Sequence, residues 1–343
     1  MNRTIAQLER REIMKTIETI RIALVGVSHW HVPLYVRATT LQRLNIAAVS
    51  DPDERKARML ARQLDCACYT EEDRLFEEVR PEFVFAFAPH DRMPALAMKL
   101  IQRRIPFTIE KPLGLQANDV EMVEKAADEA GVFCAIPFVW RYSSLLQEFR
   151  QEVASSELLH LAFKFIAGPV SRYETTSPWM LQTERAGGGC MTNLGVHFID
   201  MAMFLTGSDQ AEVLAAAYHY ASSYDIETYG TSLLRLSSGA TLLLETGYAY
   251  PMDEELRDNR WNIVTKDGYY TLGDNCFEKR VFGRRTEKIP MSTDSDVYYA
   301  DFVLESLRQY LAGERPRAGL AQMRRVRGIL DAINHRAVVS SSL

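Results

Sequence analysis

The sequence predicts an α/β protein with two domains: an N-terminal doubly wound parallel sheet, and a C-terminal α+β domain with a largely antiparallel open sheet. Three observations support this prediction. In the first part of the chain, short continuous apolar runs alternate with helical stretches, as in parallel sheets covered on both faces. After about residue 155, strand-like segments are separated by turn signals, and the tail returns to helical patterns. The length of 343 residues also suggests two domains.

Five apolar runs predict the strands of the parallel sheet: IRIALVGV, LNIAAVSD ending at Asp51, EFVFAFAP ending at Pro89, IPFTIEKP carrying Glu110 at its end, and GVFCAIPF. The intervening stretches DERKARMLARQL and MPALAMKLIQRR predict helices. A further helix is predicted to begin at a capping box formed by Asn118 and Glu121 and to end at Gly131.

The second half contains the segments expected to form the antiparallel sheet: ELLHLAFKFIAGPV, EVLAAAYHYASSY, TYGTSLLRLSSGATLLLETGYAY and RWNIVTKDGYYTL. The SSGA stretch predicts a hairpin. The predicted limits are residues 1–20 for a helical N-terminal extension, 21–140 for the first domain and 141–343 for the second. Ile13, Ile17 and Ile20 have helical spacing, so the extension is either an arm against a partner subunit or a loosely docked end.

Composition excludes several classes of protein. The chain is 47% hydrophobic and 25% charged, and its net charge of −5 gives no reason to expect nucleic acid or a membrane surface as a partner. No apolar run approaches the ~20 residues of a membrane helix, and the N-terminus lacks the apolar stretch of a signal peptide. The five cysteines have no framework spacing. We therefore expect reduced thiols and a cytoplasmic protein.

The segment ALVGVSHWHVPLY, residues 23–35, has the outline of a dinucleotide-binding turn. Such a turn usually reads G-x-G-x-x-G, and this chain offers Gly26, Ser28 and His31. One interpretation is a degenerate cofactor loop that also includes His29 and Trp30. The other is a metal site built on His29 and His31, which would need further ligands on later strands. The His-Asp dipeptide at 90–91 is the only nearby source of such further ligands. We therefore expect a cofactor loop and no metal.

Two charged residues follow predicted strands. Asp51 stands where a dinucleotide fold places an acid against the adenosine ribose hydroxyls. Such a carboxylate repels a 2′-phosphate, so it favours NAD over NADP. Lys111, in Glu110-Lys111-Pro112, lies at the carboxyl edge of the sheet, where ligands of open α/β sheets bind. It is either a surface charge or a group that points into a cleft.

The stretch GGGCMTNLGVHFIDMAMFLTG, residues 187–207, carries the strongest signal. Its glycines allow close backbone approach, and a helix is predicted to end at Gly207. On an α-helix one face would carry Asn193, His197, Asp200 and Phe204, beside an apolar face of Leu194, Phe198, Met201 and Leu205. His197 is then either a functional group or a core histidine satisfied by Asp200 or a carbonyl.

Together, these features resemble the glucose–fructose oxidoreductase/inositol dehydrogenase (Gfo/Idh/MocA) family over about residues 21–340. The resemblance rests on the loop, Asp51, the EKP motif and GGG-x5-G-x-H-x-x-D in that order. It implies an NAD(P)-binding Rossmann domain and a second domain whose open sheet often makes dimer or tetramer contacts. It also implies oxidation or reduction of a hydroxyl or keto carbon of sugars, inositols and related compounds.

The resemblance also implies roles for single residues. Lys111 and His197 would line the active site, and Asn193 stands where the family usually has aspartate. Asparagine can orient His197 or a substrate hydroxyl, but it accepts no proton and brings no negative charge. Arg141 matches a family R-x-x-P only in part, because Ser144 replaces the proline. The implied substrate residues are Lys111, Trp179, Asn193 and His197, and the implied cofactor residues are Gly26, Ser28, His29, Trp30, His31, Asp51, Ala88, Pro89, Glu110, Lys111 and Arg141.

The predicted function is therefore an NAD(P)-dependent oxidoreductase that transfers hydride to or from a secondary hydroxyl or keto carbon of a sugar-like or cyclic polyol substrate. Two alternatives stay open: an NAD-dependent glycoside-cleaving enzyme, and a non-catalytic cofactor- or sugar-binding regulator with the same fold. The altered loop and Asn193 support the regulator. The predicted partners are a small-molecule sugar or polyol and further copies of the chain, in a homodimer or homotetramer associated through the C-terminal sheet.

Overall fold

The computed structural model describes residues 15–154, 157–221, 223–251 and 257–340. Their backbone divides into two compact units, each built on one sheet. Of the described residues, the first unit draws on 15–113, 119–137 and 299–321, and the second on 114–118, the described parts of 138–298, and 322–340. One sheet is parallel and the other largely antiparallel, so the predicted fold class is confirmed.

The sheet of the first unit is parallel throughout and has the order β3-β2-β1-β4-β5-β6 in the described residues. Its strands are β1 Ile22–Val25, β2 Ile46–Ser50, β3 Ala67–Tyr69, β4 Phe83–Ala86, β5 Phe107–Ile109 and β6 Cys134–Ala135. The helices that follow them are α1 Val32–Leu41, α2 Glu54–Leu64, α3 Glu72–Val79, α4 Met93–Gln102 and α5 Ala117–Ala130. The strand order reverses between β1 and β4, which is the switch point where such sheets bind nucleotides.

Helix α5 differs from its prediction at one end. It begins at Ala117, whose N–H donates to Asp331 Oδ2 over 2.6 Å. Asn118 therefore lies inside the first turn, and the predicted capping box at Asn118 is wrong because a distant carboxylate satisfies the first N–H instead. The predicted stop is confirmed, since the helix ends before Gly131 and this glycine has a φ of 65°.

One helix from the end of the chain packs on the first unit. Helix α10, Tyr299–Leu311, lies against α1: the ring of Tyr35 is 5.4 Å from that of Tyr299 and 6.1 Å from that of Phe302. Residues 299–321 thus belong to the first compact unit, whereas the sequence analysis places them in the second domain. The cause is the apolar face of α10, which is buried there through Phe302, Val303 and Leu307. The domain limits 1–20, 21–140 and 141–343 stay predictions.

The sheet of the second unit has the order β14-β13-β12-β11-β7-β10-β9-β8-β15 in the described residues. The strands are β7 Leu158–Ile166, β8 Ala211–His219, β9 Tyr229–Leu236, β10 Thr241–Gly247, β11 Asp258–Thr265, β12 Gly268–Gly273, β13 Cys276–Val281, β14 Glu287–Pro290 and β15 Val338–Ser340. Only β7 with β10 and β8 with β15 pair in parallel within this described sheet. Strands β9 and β10 form the predicted hairpin, closed by a bond from Leu236 N–H to the Ala240 carbonyl.

Helices and short turns complete the second unit. The helices are α6 Ser144–Val153, α7 Arg172–Thr176, α8 Thr183–Ala186, α9 Val196–Thr206 and α11 Leu320–Arg336, joined by 3₁₀ turns at Val139–Tyr142, Pro178–Leu181 and Ser295–Tyr298 and by a π-helical turn at Met191–Gly195. Helix α9 packs on β7, with the ring of Phe198 5.4 Å from Phe163 and 5.6 Å from Phe165. This contact fixes the helix that carries His197.

The predicted N-terminal extension is described only in part. Residues 15–19 are helical, and Ile17 and Ile20 are buried. Residues 1–14, with Ile13, lie outside the described residues. Across the described segments of the chain, no helix combines the length and apolar character needed to cross a membrane.

Candidate active-site residues

The turn after β1 requires a glycine at its first position. Gly26 has a φ of 81°, and a Cβ there would lie 1.9 Å from the carbonyl oxygen of Phe87. Phe87 follows β4, so this close approach occurs at the switch point of the parallel sheet. Ala88 and Pro89 come next and are half-buried at the same sheet edge. Gly26, Ala88 and Pro89 therefore stand where the Rossmann fold places a dinucleotide.

Ser28 and Asp51 are joined directly. The backbone N–H of Ser28 donates to Asp51 Oδ2 over 2.6 Å, and the Ser28 hydroxyl donates to Oδ1 over 2.6 Å. Asp51 also accepts from the Asp53 N–H at 2.8 Å and is 4% exposed. The carboxylate after β2 therefore holds the loop after β1 in place. This link provides a reason for serine at the second glycine position of the motif.

His31 fills the position of the third glycine, and its imidazole points inward. It is 4% exposed, and Nδ1 lies 2.8 Å from Oε2 of the fully buried Glu110. The Tyr299 hydroxyl donates to Glu110 Oε1 at 3.5 Å. Burial raises the pKa of Glu110, and the positive charge of the nearby Lys111 opposes this shift. The imidazole thus connects the loop after β1 to the carboxylate after β5.

His29 is buried beside His31, and its Nδ1 accepts a hydrogen bond within the loop. Its Nδ1 accepts from the His31 N–H at 3.2 Å, and its ring stacks 5.8 Å from Phe87. Burial lowers the pKa of His29 well below its ordinary value, and His31 adds to this effect. His29 is therefore neutral at physiological pH. No cluster of three or more potential metal ligands of the histidine, cysteine, aspartate or glutamate type occurs among the residues that the structure describes.

Lys111 is a buried cation, 1% exposed, directly after Glu110. Its Nζ lies 5.9 Å from the ring centroid of Trp30, within cation–π range. Trp30 is itself half-buried on the loop after β1. Of the two interpretations of Lys111, the structure therefore contradicts a solvated surface charge. Its role toward a substrate stays a prediction.

The glycines at 187–189 allow a tight chain path into α9. Gly188 has a φ of 134°, and a Cβ on Gly189 would lie 2.0 Å from the carbonyl oxygen of Glu227. The buried carboxylate of Glu227 accepts from the N–H of Gly189 at 2.6 Å and of Met191 at 3.0 Å. Burial raises the pKa of Glu227, although these N–H groups oppose the shift. Glu227 therefore fixes the start of the π-helical turn.

Asn193 lies in that π-helical turn and is 1% exposed, so the predicted α-helical face through Asn193 and His197 is wrong. A π-helical turn bonds over five residues, and the spacing of an α-helix does not apply across it. Asn193 Nδ2 donates to the hydroxyls of Tyr173 at 3.1 Å and Tyr248 at 2.9 Å. Burial raises the pKa of Tyr248 well above its ordinary value, so this hydroxyl stays neutral.

His197 is partly exposed on an otherwise buried helix. Along Val196–Thr206 every residue except His197 and Thr206 is buried. Asp200 is not the hydrogen-bond partner of His197, because its two oxygens accept from Arg141 Nε and Nη2, each at 2.7 Å. The alternative of a core histidine paired with Asp200 is therefore wrong. The ring of Phe138 stands edge-on to His197 at 6.4 Å.

Arg141 and Trp179 lie in the second unit. Arg141 is 9% exposed, and its ion pair with Asp200 ties the turn at Val139–Tyr142 to α9. Trp179, also 9% exposed, sits in the turn Pro178–Leu181 that leads to the three glycines. The cofactor role of Arg141 and the substrate role of Trp179 stay predictions.

Two family models match this chain. Residues 20–138 match the one described as an oxidoreductase family with an NAD-binding Rossmann fold, and residues 157–271 match the GFO/IDH/MocA C-terminal domain. The chain belongs to the Gfo/Idh/MocA oxidoreductase family. The family resemblance and the NAD-type cofactor predicted from the sequence are thereby confirmed. Gly26, whose missing Cβ leaves room for the Phe87 carbonyl oxygen, makes the tight turn that a Rossmann fold places beside its cofactor.

Individual proteins are similar to this chain at low identity. The rhizopine catabolism protein MocA of Rhizobium meliloti is 25% identical over 240 residues, which cover 67% of this chain and 72% of that protein. An inositol dehydrogenase homologue from Azotobacter vinelandii, solved with NAD⁺, has a TM-score of 0.79 at 16% identity, with 93% and 96% of the two chains covered. A levoglucosan dehydrogenase, solved with NADH and levoglucosan, has a TM-score of 0.81 at 13% identity, with 92% and 96% covered.

Sequence reasoning missed four residues around Asn193 and the glycines: Arg172, Tyr173, Glu227 and Tyr248. The contacts of Tyr173, Glu227 and Tyr248 with this turn connect positions 20 to 55 residues apart, and no local pattern indicates them. A weak signal existed for Glu227, an acid two residues before β9. A charged residue next to a buried strand needs a partner, and the glycine-rich turn supplies it.

Proposed function

We propose that this protein is an NAD-dependent dehydrogenase that acts on a secondary hydroxyl, or the matching keto carbon, of a sugar-like or cyclic polyol substrate. Family membership supports the oxidoreductase chemistry. The names of the inositol and levoglucosan dehydrogenases support the substrate class. The observation that carries the proposal is His197, the partly exposed imidazole on a helix that is otherwise buried and whose carboxylate is already paired with Arg141.

The cofactor half of the proposal uses the first unit. Gly26, Ala88 and Pro89 would contact the nicotinamide and pyrophosphate groups of the cofactor. Asp51 would face its adenosine ribose. When bound, NAD supplies the hydride acceptor for oxidation or the donor for reduction. Because the Asp51 carboxylate carries negative charge at the end of β2, we propose that NAD is preferred over NADP.

The proton chemistry assigns one role to each polar residue. In the oxidation direction His197 takes the hydroxyl proton as a general base. Lys111 donates a hydrogen bond to the reacting oxygen and stabilises the negative charge that develops on it. Asn193, anchored on Tyr173 and Tyr248, fixes the geometry of the turn before His197. A neutral amide at position 193 agrees with these roles. His197 must be unprotonated to act as a base, and a carboxylate nearby would favour its protonated form.

We further propose a cytoplasmic homodimer or homotetramer associated through the nine-stranded sheet. Half-exposed apolar side chains on this sheet, Leu243 at 41% and Tyr269 at 43%, are consistent with a covered surface. Light scattering at low micromolar concentration tests this proposal, and Leu243→Glu should lower the mass of the particle. A monomeric native protein would contradict it.

The main test combines cofactor binding with turnover. The purified protein is titrated with NADH by nicotinamide fluorescence and then incubated with NAD⁺ and a panel of inositols, aldoses and anhydrosugars. The proposal expects NADH binding and NADH formation with at least one substrate. Sugar release without net NADH would favour glycoside cleavage, and NADH binding without any turnover would favour the regulator.

A further inference from the structure

Arg172 opens helix α7, and its guanidinium is held against two aromatic rings. Its Cζ lies 4.7 Å from the ring centroid of Tyr173 and 5.8 Å from that of Tyr248. Its Nη2 donates to the Tyr173 hydroxyl over 2.7 Å. A planar guanidinium stacked in this way has little freedom to move, so the cation has a defined position.

This cation is adjacent to Asn193. The Tyr173 hydroxyl that accepts from Arg172 also accepts from Asn193 Nδ2 at 3.1 Å. Asn193 precedes His197 by four residues. Arg172 is therefore one bridging oxygen away from the turn that leads to the proposed base, within the same compact unit.

Arg172 has no acidic partner among the described residues, and its Nε is buried without an acceptor. Two other arginines of this unit, one buried and one half-buried, are neutralised: Arg141 pairs with Asp200, and Arg257 pairs with Asp294 and Asp296. A positive charge over aromatic rings and without a counter-ion favours a negative ligand.

Two acids of this unit, one close to Arg172 in sequence and one at the glycine-rich turn, are committed to other groups. Glu174, two residues on, accepts from the Tyr224 hydroxyl at 2.7 Å. Glu227 accepts from the N–H groups of Gly189 and Met191. Neither carboxylate is therefore positioned as the counter-ion of Arg172.

We propose that Arg172 binds a carboxylate of the substrate, so that the preferred substrate is a sugar acid or polyol acid. The inference rests on the proposed function and narrows its substrate class. One guanidinium balances one negative charge, which suits a carboxylate, whereas a phosphate dianion would keep an unbalanced charge. Guanidinium and carboxylate groups also match in planar geometry.

The test measures binding of matched ligand pairs to the protein saturated with NADH. Calorimetry compares D-glucuronate with D-glucose and D-galacturonate with D-galactose, for the native protein and for Arg172→Gln. The expected result is that the native protein binds at least one acid about tenfold or more tightly than its neutral parent. Arg172→Gln should abolish this preference, because a hydrogen bond to a charged group is lost, and it should therefore weaken binding of the acid far more than binding of the neutral sugar.

Two control variants and one ligand comparison keep the result specific. Arg235→Gln changes an arginine of β9 whose side chain is 59% exposed, and it should alter neither ligand. Arg172→Lys keeps the charge without the planar fork and should retain part of the preference. The comparison of each acid with its methyl ester in the native protein needs no variant at all, and the ester should bind like the neutral sugar.

Several outcomes would overturn the proposal. They are equal binding of acids and neutral parents, equal weakening of both by Arg172→Gln, no binding of any acid tested, and preferential binding of glucose 6-phosphate or galactose 6-phosphate. The second outcome would make Arg172 a structural clamp for Tyr173 and Tyr248. In each case NADH binding and turnover of neutral polyols would leave the proposed dehydrogenase function intact, whereas failure to bind NADH would count against that function instead.

Discussion

The side-chain amide of Asn193 donates a hydrogen bond to the hydroxyl of Tyr248 over 2.9 Å. The same amide nitrogen reaches Tyr173 at 3.1 Å, so both of its hydrogens are directed at tyrosine oxygens. A carboxylate cannot donate, and at this position it would have to accept from the two hydroxyls instead. The hydrogen bonds of this cluster therefore use asparagine as a donor, and an aspartate at position 193 could not form them in the same direction.

The first prediction concerns Asn193→Asp. A negative charge four residues before His197 favours the protonated imidazolium, which cannot act as a base. The acid limb of kcat/KM against pH in the oxidation direction should therefore move to higher pH. Asn193→Ala is the control, since it removes the anchor without adding charge, and it should lower the rate without moving the limb. An unchanged limb in Asn193→Asp would mean that the two positions do not interact electrostatically.

The same variant bears on the regulator alternative. If the native protein converts no substrate while Asn193→Asp gains activity, the asparagine has switched off an oxidoreductase fold. If the native protein is active and Asn193→Asp is slower near neutral pH, the asparagine is a functional adaptation.

The second prediction concerns cofactor choice through Asp51. The native protein should bind NADH more tightly than NADPH, as measured by nicotinamide fluorescence. Asp51→Ala should reduce this discrimination, and it should also weaken NADH binding because Ser28 loses its partner. Ser28→Ala is the matched control, since it removes the hydroxyl but keeps the backbone bond, so discrimination should persist. Equal affinity of the native protein for both cofactors would contradict the assignment of Asp51 to the ribose.

The third prediction concerns stability at mildly acidic pH. Burial lowers the pKa of His29 in the folded protein. Below about pH 6.5 the imidazole is therefore protonated in the unfolded chain while it is still neutral in the native state. The contribution of His29 to the free energy of unfolding should therefore be complete above that pH and fall by up to about 1.4 kcal/mol per pH unit below it. Glu110, whose pKa is raised, acts in the opposite direction.

The measurement that isolates His29 is urea denaturation of the native protein and His29→Gln at pH 7.5 and pH 5.5. Glutamine can accept the bond from the His31 N–H but does not titrate. The native protein should lose more stability than the variant between the two pH values. Parallel losses would show that His29 is protonated equally in both states.

The fourth prediction concerns Glu227. Glu227→Gln replaces one acceptor oxygen by a donor, which leaves the N–H of Gly189 or Met191 unsatisfied inside the protein. The expected cost is about 1 to 3 kcal/mol of the free energy of unfolding. Glu212→Gln, at a side chain that is 66% exposed on β8, should stay within about 0.5 kcal/mol of the native value. Equal stability of the two variants would exclude the anchoring role of Glu227.

Local patterns predicted five of the six described strands of the parallel sheet, and they placed Gly26 and Lys111 directly after two of these strands. Continuous apolar runs mark buried strands, and the residues directly after each run lie at the ligand-binding edge of the sheet. The short edge strand β3 was missed because Ala67, Cys68 and Tyr69 form no apolar run: the first two are exposed and the third is half-buried.

The environment of Asn193 could not be predicted in the same way. Its partners Tyr173 and Tyr248 are 20 and 55 residues away in sequence. The π-helical turn that buries Asn193 has no composition signal that distinguishes it from the α-helix it precedes. Likewise, the pairing of Asp200 with Arg141 rather than His197 is decided by tertiary packing over 59 residues.

The most direct test of the central claim is the turnover of His197→Ala. On a substrate identified with the native protein, kcat/KM should fall by about 10²- to 10⁴-fold, as expected for loss of a general base, while the dissociation constant for NADH stays nearly unchanged. Lys111→Ala should likewise lower kcat/KM and leave the dissociation constant for NADH nearly unchanged. Full activity of His197→Ala with intact NADH binding would contradict the account, because His197 would then have no part in the proton transfer.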